Sequence, residues 1–87
     1  MYTTYIVPNN FIWDETIQKY KVVFPASTFN GYFNSDYDTY VVKCLRMDGD
    51  TYREIVLYYE VTETGDLTLF FDETFIARVA ISTSLAV

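Results

Sequence analysis

The sequence predicts an all-β domain of six to seven short strands, an antiparallel immunoglobulin-like β-sandwich or a small barrel. Three observations predict it. Nine Tyr, seven Phe and one Trp bring aromatic residues to 20% of the 87-residue chain, and aromatic and β-branched side chains suit pleated, half-buried surfaces. Groups of Asp, Asn, Gly and Pro punctuate the chain roughly every 8–12 residues, the spacing of a sandwich or barrel. No stretch of about ten residues or more carries apolar positions at the helical period.

Residues 2–7 read as a first strand, stopped by Pro8, which lacks an N–H, and by Asn9-Asn10, which tolerate left-handed backbone. Phe11-Ile12-Trp13 is a short second strand before an Asp14-Glu15-Thr16 turn. In 17–24 the alternation places Tyr20, Val22 and Phe24 on one face and Lys19 and Lys21 on the other, as in a half-buried strand. An irregular loop of about 25–38 follows, rich in Ser, Asn, Gly and Asp yet holding Phe29, Tyr32, Phe33 and Tyr37, with a short helix allowed near Pro25-Ala26-Ser27. Residues 39–47 and 51–61 flank Asp48-Gly49-Asp50 as a hairpin. Glu63-Thr64-Gly65-Asp66 is a second turn, leading into a strand over 67–71. The last strand, 75–82, sets Phe75, Ala77, Val79 and Ile81 on one face against Arg78. The expected organisation is one β domain over 1–87 that ends in an apolar tail, 83–87.

A chain this short leaves a small stability margin, and small domains often need a staple. One cysteine, Cys44, rules out an internal disulfide, and the absence of histidine removes Cys/His zinc sites. Oligomerisation or docking is the remaining staple. Twelve acids against six bases give a net charge of −6, the wrong sign for nucleic acid or an anionic membrane. Residues 1–20 lack the basic start and apolar centre of a signal peptide.

Catalysis is not expected. Without histidine no Ser–His–Asp or Cys–His arrangement can form, and Cys44 reads as a small buried hydrophobe in mid-strand. The acid pairs Asp36/Asp38, Asp48/Asp50 and Asp72/Glu73 fall at turns, where Asp caps backbone groups. Asp48-Gly49-Asp50 lacks the oxygen count of a calcium loop, and the isolated Gly31, Gly49 and Gly65 form no phosphate cradle. No metal and no cofactor are expected.

The informative feature is a surplus of apolar faces. In 51–61 the odd positions Ile55, Leu57, Tyr59 and Val61 suit a core, yet Tyr52, Val56 and Tyr58 fall on the opposite face. In 39–47 both faces carry large apolar groups, and Phe70 and Ile76 are also in excess. Three accounts compete: the long loop or tail folds over the second face, another subunit covers it, or an aromatic stripe stacks on sugar rings. The candidate interface comprises Tyr32, Phe33 and Tyr37 in the loop, Tyr52, Val56 and Tyr58 on the surplus face, and Leu85 and Val87 in the tail.

The run from Val61 to Ile81, VTETGDLTLFFDETFIARVAI, resembles the closing hairpins of small β-domains in tailed-phage virion proteins, and 21–29, KVVFPASTF, is similar to the strand-then-Pro-Ala-Ser opening of such domains. The resemblance implies a non-enzymatic structural subunit of a phage particle (a head-fibre, capsid-decorating or tail component). It implies a homo-oligomer bound to other virion proteins, assembled in the bacterial host cytoplasm. Two alternatives stand beside it. One is a small acidic inhibitor that mimics nucleic-acid charge; the other is a carbohydrate-binding module with a glycan partner.

Overall fold

A computed structural model describes residues 1–32 and 40–83 of the chain. Among these residues eight strands occur: β1 (Tyr2–Ile6), β2 (Ile12–Asp14), β3 (Lys19–Phe24), β4 (Tyr40–Asp48), β5 (Thr51–Ile55), β6 (Tyr58–Val61), β7 (Leu67–Phe71) and β8 (Ala77–Thr83). They form two four-stranded antiparallel sheets, A in the order β1-β8-β4-β5 and B in the order β2-β3-β7-β6. The predicted sandwich is therefore present. It shares its two layers with immunoglobulin domains but not their strand order, since β1 lies beside β8.

The topology follows from where the turns fall. β2–β3, β4–β5 and β6–β7 are hairpins, and each successive pair lies on the other sheet. In the β4–β5 hairpin Gly49 takes a left-handed φ of 64°, which a side chain would resist. The β2–β3 turn instead puts Gln18 at φ 54°, supported by the Thr16 N–H donating to Asp14 Oδ1 at 3.0 Å. A 3-10 helix at Pro8–Asn10 carries the chain from β1 to β2, closed by the Val7 N–H donating to Asn10 Oδ1 at 2.8 Å. A second, at Ala26–Phe29, follows β3; the sequence allowed a short helix there.

The strand count corrects the sequence reading, because 51–61 is not one strand. β5 belongs to sheet A and β6 to sheet B, with Val56-Leu57 crossing between them. The expected alternation survives the crossing: Ile55, Leu57, Tyr59 and Val61 pack against the core while Tyr52, Val56 and Tyr58 stay exposed. Several boundaries shift by one or two residues, as in the last strand, which begins at Ala77 rather than Phe75.

Alternation also fills the core. Sheet A contributes Ile6, Tyr40, Cys44, Ala77, Val79 and Ile81, and sheet B contributes Val22, Phe24, Leu67, Leu69 and Phe71. Much of the aromatic surplus closes the two open ends of the sandwich. At one end Tyr2 meets Phe29 edge-on at 5.5 Å and Phe29 meets Tyr40 at 5.6 Å. At the other, Phe75 stands 5.4 Å from Phe71 and 5.5 Å from Phe11. Such edge-to-face pairs each add about 0.5–1.5 kcal/mol beyond area burial. Short strands leave wide ends, and large rings fill them.

Candidate binding cleft and outer faces

The candidate interface residues separate into three places. Tyr32 lies at the Tyr2 end of the sandwich, its ring 5.1 Å from that of Tyr2. Tyr52 belongs to the outer face of sheet A, and Val56 and Tyr58 to the rim of sheet B. Phe33, Tyr37, Leu85 and Val87 lie outside the described residues, as do the rest of 33–38 in the loop and of 84–87 in the tail.

The outer face of sheet A is partly self-covered. Tyr5 on β1 and Tyr52 on β5 reach toward each other over β8 and β4, and a hydroxyl–hydroxyl interaction with Tyr5 raises the Tyr52 phenol above the usual tyrosine range. The Arg78 guanidinium sits 5.7 Å from the centre of the Tyr52 ring. Leu45 and Met47 lie half-buried on this same face of β4. Tyr52, a candidate contact in the sequence, is thus engaged within its own sheet.

Sheet B presents a cleft of about 860 Å³. Its floor comes from the outward residues of β3, β7 and β6, where register sets Lys21 beside Phe70 and Phe70 beside Tyr58. The Phe70 and Tyr58 rings lie 5.5 Å apart, tilted by 36°, and Tyr58 is 64% exposed. The Tyr58 hydroxyl donates to Glu60 Oε1 at 3.0 Å, which raises its pKa. Val56, at the crossing between sheets, forms a shoulder of the cleft and is 101% exposed.

The charged rim is neutralised from within. Lys21 Nζ lies 3.2 Å from Asp14 Oδ2, and this contact holds the Asp14 carboxyl below its ordinary range. Lys19 pairs with Asp72, and Arg46 with Glu73. Arg46 also lies over the Phe75 ring at 4.8 Å. These three pairs use half of the chain's six bases, and the Lys19 and Arg46 pairs join the Asp72-Glu73 turn to strands of both sheets. Exposed pairs of this kind contribute little each to stability; here they fix the cleft wall.

Chemistry is sparse among the described residues. No cluster of three or more Cys, Asp or Glu positioned for a metal occurs there. Cys44 is completely buried between the sheets, and burial pushes its thiol up to about 11. A thiolate is the reactive form, so native protein at pH 8 should be inert to a disulfide reagent such as Ellman's, releasing one equivalent on denaturation. Fast reaction of folded protein would contradict this burial.

The pairing of Lys19 with Asp72 spans 53 residues, and no local pattern announces it. Residues Lys19, Lys21, Arg46 and Phe70 therefore join the cleft without having been candidates. The lone sequence signal was Phe70 as a surplus aromatic.

Comparison with known proteins finds no family model, no curated protein and no solved structure that matches the chain.

Proposed function

We propose that this chain is a non-enzymatic assembly domain that docks onto another copy of itself, within a larger assembly, through the sheet B cleft and its Val56 shoulder. The observation that carries the reading is the fully exposed Val56 beside an exposed Tyr58, on a domain whose core is already filled. Exposed aromatic and aliphatic groups rimmed by charge are the composition of a protein interface. The particle is read as a phage virion from the resemblance of the 61–81 run, with the chain as a fibre, decorating or tail component. Charge mimicry is the weaker alternative, because Asp14, Asp72 and Glu73 are each paired to a cation. A glycan-binding role draws on the Tyr58–Phe70 pair, whose exposed faces suit a sugar ring.

Light scattering at micromolar concentration tests the reading. The wild-type mass should exceed the 10.2 kDa of one chain, and a Val56→Asp/Tyr58→Ser variant should fall to a smaller species with an unchanged melting temperature. A variant of unchanged mass would sink the cleft as an assembly surface. Glycan-array binding lost in Tyr58→Ser would move the assignment to carbohydrate recognition.

A further inference from the structure

Among the described residues the two sheets have four edge strands, and three carry the devices that discourage pairing. β2 is only three residues long and includes Asp14. β5 contains Arg53 and Glu54. β6 has four residues, among them Glu60. Short length and charge both blunt an edge against strand addition. β1 has neither protection: Tyr2-Thr3-Thr4-Tyr5-Ile6 is five residues of strong strand formers with no charge and no proline. Its inner side pairs with β8, and among the described residues no backbone group bonds to its outer side.

We propose that β1 pairs antiparallel with β1 of a second copy, joining the two A sheets into one continuous eight-stranded sheet about a two-fold axis. The inference goes beyond docking through the cleft, which lies on the other sheet. An exposed row of amides and carbonyls needs an extended, uncharged, proline-free strand, and the chain itself supplies one. With Thr4 on the axis, Tyr2 lies opposite Ile6 of the other copy and Thr3 opposite Tyr5. All five residues pair, and Pro8 turns each chain away just past the end. Directly opposite residues share a face, so Tyr2, Thr4 and Ile6 continue the inner layer. Thr3 and the 55% exposed Tyr5 extend the outer one.

Charge allows the approach although each copy carries −6. β1 has no ionic group and β8 has only Arg78. The two Arg78 residues would sit three strand spacings apart, about 14 Å, beyond the screening length of about 8 Å at physiological salt.

Sedimentation equilibrium with hydrogen exchange tests the pairing on the full chain. Wild type should self-associate reversibly, the Val56→Asp/Tyr58→Ser variant should stop at a dimer rather than a monomer, and β1 amides should gain protection as concentration rises. Thr3→Lys/Tyr5→Lys sets like charges opposite each other twice, and should weaken the dimer by on the order of tenfold or more while still melting cooperatively. Thr3→Lys alone, on an exposed position, keeps the test available should the double variant fail to fold. Edge pairing is overturned if β1 amides exchange identically at all concentrations, or if the lysine variants associate as wild type does. Should Val56→Asp/Tyr58→Ser alone abolish association, the cleft reading survives and the edge pairing does not; the reverse pattern separates them the other way.

Discussion

Leu69→Ala should lower the melting temperature by about 15 °C. Leu69 occupies the middle of β7, paired with Val22 on one side and Tyr59 on the other, and has no exposed surface. Removing three carbons there costs the transfer energy of the lost atoms and leaves a cavity that close packing cannot collapse. Such substitutions cost about 2–5 kcal/mol. Total stability at about 0.05–0.15 kcal/mol per residue is of the same order for a domain this small. With each kcal/mol worth about 4–8 °C in a domain of this size, about 3 kcal/mol gives the stated shift. Leu69→Val leaves a smaller void and should lose about a third as much. Calorimetry on the three proteins decides it. A drop under a few degrees for Leu69→Ala would mean that the inner layer is loose, and the sandwich as described would fail.

How far such positions were visible beforehand depends on whether the signal is local. Leu69, Val79 and Ile81 follow from alternation alone, because a strand's inward positions repeat every two residues wherever the strand pairs. The crossing at Val56-Leu57 was not visible. It carries no Gly, Pro, Asn or Asp, and two apolar residues in alternation continue the pattern of a single strand. Tyr52 and Tyr58 therefore looked like neighbours on one stripe, and the structure places them on the outer faces of opposite sheets. The aromatic excess was plain in composition, but its use was not. That Phe11 and Phe75 close one end, and Phe29 and Tyr40 the other, depends on strand order, which residue spacing does not encode. Similarly, the cleft depends on Lys19 finding Asp72 and Arg46 finding Glu73, contacts that exist only after the sheets form.

The same limit applies to Asp66, which reads locally as one more acidic turn residue. In the fold its turn ties three segments together. Its Oδ1 accepts the Ala26 N–H at 2.8 Å, from a residue 40 positions away. Its Oδ2 accepts the Thr64 hydroxyl at 3.3 Å, and its own N–H donates to Thr62 Oγ1 at 3.0 Å. The adjacent Gly65 carbonyl accepts the buried Tyr40 hydroxyl at 3.0 Å. The turn thereby pins the start of the second 3-10 helix, where the chain leaves sheet B. Asp66→Ala removes a charge-assisted bond and strands a part-buried N–H, a loss of about 1.5–3 kcal/mol. The melting temperature should fall by about 10 °C, and the Ala26 amide should exchange much faster than its neighbours on β3. Asp66→Asn retains an acceptor without the charge, so it should recover about half of the stability and most of the Ala26 protection. A fast Ala26 amide in wild type, or an Asp66→Ala protein as stable as wild type, would show that this turn does not hold the helix in place.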